Sequence, residues 1–149
     1  TISSGIGGSF FIDKKFVVSS TEIGHTLFKY QNGYYELERI ASGYGILSLA
    51  KLNGITLEHG YDMFYGYQNH DPKLTKLYWD WINLIHEFLS FIQNTFSPEV
   101  IVFSGGVMKS ASIFFDDLKK ANPQSHLVLA YHDQDAGLIG SACYGLQNA

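Results

Sequence analysis

The first residues of the chain form a small, hydroxyl-bearing segment whose chemistry suits an anion. Residues Ser3–Gly8 hold three glycines and two serines. Glycine lacks the Cβ atom that keeps a ligand away from the backbone, and consecutive N–H groups can then point at one phosphate. Unlike a P-loop, the segment is not expected to open a helix, because Ser9–Ile12, Asp13–Lys15 and Phe16–Val18 indicate strand, turn and strand. The alternative is a β-bulge or a tightly packed hairpin that binds nothing.

A carboxylate and an imidazole follow at a spacing of three, as Glu22 and His25. Such a pair suits hydrogen bonds to vicinal sugar hydroxyls. Two metal ligands, or an exposed charge beside a histidine at the edge of the core, are the alternatives. Zinc normally takes three or four protein ligands, and no cysteine lies near. Glu36 is expected in the first turn of the next helix, where it favours the helix dipole. Glu38, one turn further, is placed to point back toward Glu22 and His25.

Two apolar segments near the end of the chain each lead into a loop that could hold a ligand. Val100–Phe103 and Leu127–Ala130 show no polar alternation, which is typical of strands covered on both faces. The loops after them are Ser104–Gly106 and His132–Asp135. Parallel strands place ligands at their carboxyl ends, where glycines let a flat group rest against the backbone. The alternatives are a tight turn without a ligand in the first loop and a helix cap, rather than a cation site, in the second.

Helices are expected to separate these loops. Tyr35–Leu52 has apolar residues at spacings of three and four, which predicts a helix with a break near Gly43 or Gly45. Asp71-Pro72 begins the longest helix, and Ser97-Pro98 ends it. Its polar residues form one narrow stripe. The helix is therefore expected to be buried on more than one side, either centrally or at a subunit interface such as that of a homodimer.

The order of elements predicts an α/β fold. A third strand, Thr26–Tyr30, precedes the first helix, and helices over 109–120 and 136–146 follow the two apolar strands. These strands should be parallel and joined by a right-handed crossover. We therefore predict one lobe over residues 1–149, with a mixed sheet of about five strands and helices on both faces.

Length and composition narrow the class of protein. A chain of 149 residues with 46% hydrophobic and 16% charged residues forms one globular domain that buries roughly two-thirds of its unfolded surface. A net charge of −4 and the lack of a basic run disfavour nucleic-acid binding. The longest apolar region, Leu74–Phe96, is interrupted by charged residues and is not expected to span a membrane. One cysteine, Cys143, excludes an internal disulfide and favours the cytoplasm, and we expect it on a buried helix face.

Five motifs occur in an order that resembles the ROK family, which comprises bacterial sugar kinases, such as glucokinases, fructokinases and N-acetylhexosamine kinases, and sugar-responsive repressors. The motifs span nearly the whole chain: Ser3–Gly8, Glu22–His25, Leu37–Gly43, Ile101–Val107 and Asp135–Ala142. The resemblance implies the carboxyl-terminal lobe of a ribonuclease-H-like, actin-like ATPase fold. It also implies a sugar kinase that uses ATP with Mg²⁺, or a sugar-sensing repressor domain without catalysis.

The resemblance also implies roles for residues. Sugar hydroxyls would be bound by Glu22, His25 and Glu38. The nucleotide phosphates would be bound by Ser3, Ser4, Gly5, Gly7 and Gly8, with Ser4 where the family usually has threonine. The adenosine would be flanked by Ser104, Gly105 and Gly106.

Three departures from the family pattern shape these expectations. The amino-terminal lobe, which carries the first phosphate loop and the aspartate that takes the sugar proton, is missing, so no catalytic residue is assigned here. Residues Gln31–Glu36 replace the cysteine-rich zinc loop, so His25 is predicted to be free of metal. The approach to Glu22 is shorter than usual and lacks its glycines, which weakens the transfer of sugar specificity.

Overall fold

The computed structural model describes residues 1–17, 22–132 and 135–147 of the chain. The strands are β1 Phe10–Ile12, β2 Lys15–Val17, β3 Leu27–Tyr30, β4 Gly33–Glu36, β5 Ile101–Phe103 and β6 Leu127–Leu129. The α-helices are α1 Leu37–Ala41, α2 Gly45–Leu52, α3 Tyr61–Gln68, α4 Pro72–Phe96, α5 Ala111–Ala121 and α6 Ala136–Gln147. Short 3-10 helices cover Ile23–His25 and Gly106–Ser110.

The predicted first hairpin is confirmed. Strands β1 and β2 pair antiparallel, with Phe11 opposite Phe16. The two turn residues, Asp13 and Lys14, have positive φ angles of 50° and 63°, the conformation that a tight turn requires. Val18, which was expected to extend the second strand, lies outside the described residues.

The predicted helix over Tyr35–Leu52 is wrong at its beginning and right about its break. Gly33–Glu36 is a strand that pairs antiparallel with β3, from Tyr30 opposite Gly33 to Leu27 opposite Glu36. Backbone pairing across the hairpin outweighs the weak helical pattern of these residues, since the apolar spacing of one segment does not show which strand it pairs with. The chain then turns at Gly43, between α1 and α2, as expected.

Strands β5 and β6 pair parallel, as predicted, but the five-stranded mixed sheet is not seen. Among the described residues the strands form three separate two-stranded sheets, β1–β2, β3–β4 and β5–β6. The expectation that β5 and β6 are covered on both faces is also wrong, because Val102, which points to the face opposite that of Phe103, is 54% exposed. Phe103 and Leu127 are buried in the core, so this pair of strands has one covered face.

Helix α4 is the centre of the core. Asp71 caps its first turn by accepting a hydrogen bond from the Leu74 amide at 2.9 Å, and Ser97 ends it in a left-handed conformation. The helix packs against α1, α2, α3 and α5. Its Trp81 is fully buried and donates from Nε1 to the Ala41 carbonyl at 2.9 Å. The central position is therefore confirmed, and the homodimer stays a prediction.

Two further expectations concern exposure. Cys143 is exposed on α6, so its predicted burial is wrong, since no described element covers that helix face. In the part of the chain that the structure describes, no helix combines the length and the apolar character that crossing a bilayer needs.

Candidate functional site

Residues 1–8, which we call the glycine-rich segment, fold back on themselves. The backbone nitrogen of Thr1 donates to the Gly7 carbonyl at 2.9 Å, and the Gly7 amide donates to the Thr1 carbonyl at 3.1 Å. Ile2 and Ile6 form an antiparallel bridge, and both side chains are buried. These two isoleucines anchor the segment in the core, and Ser4 lies exposed between them.

The loop after β5 holds the glycine-rich segment from one side. The Ile2 amide donates to the Ser104 carbonyl at 2.9 Å, and the Val107 amide donates to the Ile2 carbonyl at 3.1 Å. Gly105 has a φ of +106°, and a Cβ atom there would collide with the Ile2 carbonyl oxygen. The missing side chain of Gly105 therefore admits the backbone of Ile2.

Two more glycines, from distant parts of the chain, touch the same segment. The Gly43 amide donates to the Ser3 carbonyl at 2.6 Å, and a Cβ atom at Gly43 would lie 2.7 Å from that oxygen. A Cβ atom at Gly24 would collide with the Ile6 carbonyl oxygen. The turn between α1 and α2 and the 3-10 helix that contains His25 are thus pressed against the glycine-rich segment.

Glu38 lies against the glycine-rich segment. Its Oε2 accepts a hydrogen bond from the Ile6 amide at 2.9 Å, and a Cβ atom on Gly5 would collide with the same oxygen. Among the described residues nothing else donates to this carboxylate, so its second oxygen can accept a bond from a ligand. The sequence predicts that Glu38 points toward Glu22 and His25. In the structure Glu38 is bonded to the backbone of Ile6, and the carbonyl oxygen of the same Ile6 packs against Gly24, which lies between Glu22 and His25 in the chain.

His25 faces Glu36, whose side chain was expected to serve the helix dipole. His25 Nδ1 lies 3.3 Å from Glu36 Oε2, and Arg39 Nε donates to the same oxygen at 2.8 Å. Hydrogen bonds from Arg39, and then from His25, lower the pKa of Glu36. The predicted position of Glu36 is wrong by one residue, because Glu36 ends β4 and is the N-cap residue of α1 instead of lying in its first turn, and its side chain makes no capping bond. Its interaction with the helix dipole stays a prediction. Glu22 precedes the 3-10 helix, and its side chain is exposed.

The amide groups of the glycine-rich segment are not all free for an anion. The amides of Ser3, Ile6 and Gly7 donate within the protein, the first of them to the Gly5 carbonyl at 2.8 Å. The amides of Ser4, Gly5 and Gly8 have no acceptor among the described residues. No atom lies within 4 Å of a Cβ atom built at Gly7, whereas the Glu38 carboxylate fills the space beside Gly5. An anion therefore has room at Gly7, and a carboxylate would repel it at Gly5.

The serine and glycines after β5 complete the surroundings of the segment. Ser104 Oγ lies 2.9 Å from Thr1 Oγ1, and either hydroxyl group can be the donor of the hydrogen bond between them. Gly106 is exposed, and a Cβ atom there would lie 3.6 Å from Ser3 Oγ, at ordinary contact distance. The Ile2 backbone fills the space beside Gly105, so Gly106 is the glycine of this loop that leaves room for a ligand.

The structure therefore brings Glu38, Gly24 of the Glu22–His25 motif and the Ser104–Gly106 loop against the glycine-rich segment, whereas no contact between the exposed Glu22 side chain and this segment is seen among the described residues. Sequence reasoning missed the contact between Glu36 and His25. The turn signal at Gln31–Gly33 favours a hairpin and could have indicated that the residues after it form a strand, but it does not give the observed register, in which Gln31 and Asn32 form the turn and Leu27 lies opposite Glu36. In the parts of the chain described above, no three His, Cys, Asp or Glu side chains are grouped to hold a metal ion.

Comparisons with known proteins agree with one another. A family model described as the ROK family matches residues 1–147. The bifunctional enzyme NanE/NanK of Brucella melitensis biotype 1 is 30% identical over 158 residues, which cover 95% of this chain and 29% of that protein. The chain thus spans less than a third of this curated relative.

Two solved structures are similar over almost the whole chain. One is the Lmo2764 protein of Listeria monocytogenes, described as a candidate N-acetylmannosamine kinase, with 25% identity and a TM-score of 0.79. The other is a ROK family protein of Streptococcus pneumoniae in complex with sucrose, with 19% identity and a TM-score of 0.82, which shows the fold alone. Each alignment covers 99% of this chain and 56% of the other.

Proposed function

The chain belongs to the ROK family, and on that premise we propose that it is a single lobe, over residues 1–149, of an ATP-dependent sugar kinase. One observation carries the proposal. The glycine-rich segment contacts Glu38 through the Ile6 amide, the Glu22–His25 motif through Gly24, and the Ser104–Gly106 loop through Ile2. A phosphate-binding backbone, sugar-binding side chains and a nucleotide-binding loop are the parts that such a kinase must bring together.

Glu22, His25 and Glu38 form the sugar-binding side of the proposed site. A carboxylate accepts hydrogen bonds from hydroxyl groups, and a neutral imidazole both donates and accepts. Glu38 has one oxygen held by the Ile6 amide and one available, so it can bind a hydroxyl in a fixed orientation. We propose a hexose or an N-acetylhexosamine as substrate, and the likeness to a candidate N-acetylmannosamine kinase supports this class.

The glycine-rich segment and the loop after β5 form the nucleotide side. Ser3, Ser4, Gly7 and Gly8 would line the phosphates, with the open space at Gly7 receiving an anion, whereas Gly5, which the resemblance also implies, lies against the Glu38 carboxylate. The adenosine would lie against the loop of Ser104, Gly105 and Gly106. Mg²⁺ binds mainly to phosphate oxygens in such sites and would neutralise their charge.

The chemical contribution of this lobe is positioning. Phosphoryl transfer needs the sugar hydroxyl and the terminal phosphate close together and in line, and much of the rate comes from fixing that geometry. Because Glu38 accepts a hydrogen bond from the glycine-rich segment itself, a sugar bound by Glu38 would lie close to a phosphate bound by that segment. The base that takes the proton of the sugar hydroxyl would come from the other lobe. We also propose that the complete enzyme is located in the cytoplasm.

The test is a comparison of variants in the full-length protein. Glu22→Gln and Glu38→Gln should each raise the KM for the sugar by about tenfold to a hundredfold, as expected for losing a charged hydrogen bond. Glu99→Gln is the matched control, because Glu99 is exposed and precedes β5 at the end opposite Ser104. Wild-type kinetics in both site variants would contradict the sugar site. Sugar binding by isothermal calorimetry without any ATP turnover would instead support a sugar-sensing repressor domain.

A further inference from the structure

We propose that Glu36 is a positioning residue that fixes the ring orientation and the proton position of His25. It would leave His25 Nε2 as an acceptor for a sugar hydroxyl. The second half of this inference rests on the proposed function, whereas the contact between the two side chains does not. Among the described residues, Glu36 is the carboxylate that lies within ion-pair distance of His25.

The backbone holds His25 and Glu36 side by side. Glu36 pairs with Leu27 at the end of the β3–β4 hairpin, and the Leu37 amide donates to the Thr26 carbonyl at 3.0 Å just beyond it. His25 directly precedes Thr26 in a 3-10 helix whose Gly24 is pressed against the Ile6 carbonyl. Because the backbone bond between Leu37 and Thr26 holds His25 and Glu36 close together at the end of the hairpin, their side chains can meet, and Nδ1 lies 3.3 Å from Oε2.

The charge of Glu36 determines what His25 can do. Arg39 Nε donates to the same carboxylate oxygen at 2.8 Å, and the bonds from Arg39 and His25 keep the pKa of Glu36 low. An ionised carboxylate can only accept hydrogen bonds. A neutral imidazole that faces it therefore carries its proton on Nδ1, and Nε2 keeps a lone pair.

This arrangement would supply what a metal ligand or a second carboxylate supplies to a functional histidine elsewhere, namely one defined tautomer. The His25 side chain is 49% exposed, and that of Glu36 is 29% exposed, so Nδ1 is occupied while the remainder of the ring stays accessible. The simpler role for Glu36 is an ion pair with Arg39 that merely stabilises the start of α1.

Glu36→Ala and Arg39→Ala separate the two roles. Both substitutions remove the ion pair between Glu36 and Arg39, but only Glu36→Ala removes the partner of His25. The measurement is the ring ¹⁵N spectrum of His25 in the full-length protein, at a pH where titration of the same signals shows the ring neutral. His25→Gln assigns the signals.

We expect a protonated Nδ1 in the wild type and in Arg39→Ala, and loss of that preference in Glu36→Ala. Sugar affinity, measured by calorimetry with N-acetylmannosamine and glucose, should fall about tenfold in Glu36→Ala and change little in Arg39→Ala. If Glu36→Ala does not fold, Glu36→Met, which keeps the length of the side chain, is measured in its place.

Three results would overturn the inference: a wild-type proton on Nε2, a tautomer that does not respond to Glu36→Ala, or equal loss of sugar affinity in both alanine variants. If neither sugar binds the wild type, the proposed function fails at that point. The ring spectrum then still decides whether Glu36 sets the tautomer of His25, so the two failures can be told apart.

Discussion

Replacing Gly105 with alanine should destabilise the protein strongly, because the glycine-rich segment packs directly against this residue in the loop after β5. Gly105 has φ +106° and ψ 171°, a backbone region that is almost restricted to glycine. Forcing alanine into it costs about 2 kcal/mol. The new methyl group would also collide with the Ile2 carbonyl oxygen.

Relief of that collision must move Ile2 and weaken the two hydrogen bonds that it makes to Ser104 and Val107. Each of these bonds contributes about 1 kcal/mol. Strain and the partial loss of these bonds together predict a fall of about 3 kcal/mol in the free energy of unfolding, which for a unit of this size lowers Tm by about 6–12 °C.

The assay is thermal unfolding of the full-length Gly105→Ala variant, followed by circular dichroism. Gly106→Ala is the matched control, since its methyl group would meet only Ser3 Oγ at 3.6 Å and its φ is not positive. The control should stay within about 0.5 kcal/mol of the wild type. Equal Tm values for the two variants would refute the close packing of Ile2 on Gly105.

Three further predictions concern pH, ligands and metal. Burial, and then the hydrogen bond to Asp117, raise the pKa of Tyr78 above its ordinary value of 10.0, so the stability that the protonated tyrosine provides is present below pH 10 and is lost as the pH rises further. The free energy of unfolding in urea should therefore fall more steeply at alkaline pH in the wild type than in Tyr78→Phe, and equal declines would contradict this. A sugar or ATP at about 100 times its Kd should raise the free energy of unfolding by about 2.7 kcal/mol, and a Tm that responds to neither would indicate a purely structural lobe. Elemental analysis should find well under one zinc per chain, and a stoichiometric amount would overturn the metal-free assignment of His25.

Sequence reasoning succeeded where a local signal determined the structure. Asp71-Pro72 marks the start of α4, because an aspartate accepts a hydrogen bond from a free amide of the first turn and the proline ring fixes a helical φ angle. In the structure Asp71 accepts that bond from the Leu74 amide. The narrow polar stripe predicted a helix buried on several sides, and α4 is packed by four other helices. In both cases, residues within a few positions of one another carry the information.

It failed where a contact between segments, rather than the spacing within one segment, decided the outcome. Tyr35 and Glu36 have spacing that fits a helix, but pairing with β3 across a two-residue turn makes them strand, and this places Glu36 beside His25. The role of Gly24 as the point where Ile6 approaches was equally hidden, since the two residues are far apart in the chain. The exposed side chain of Val102 shows the converse case, because an apolar segment indicates that a strand is covered without identifying the part of the protein that covers it.

A crystal structure of the full-length protein with a hexose or an N-acetylhexosamine and a non-hydrolysable ATP analogue would test the central claim most directly. The proposed function predicts sugar hydroxyls within hydrogen-bond distance of Glu22, His25 and the free oxygen of Glu38. It also predicts a phosphate in the open space at Gly7. A sugar or nucleotide bound away from the glycine-rich segment would contradict the claim that this segment joins the two halves of one site.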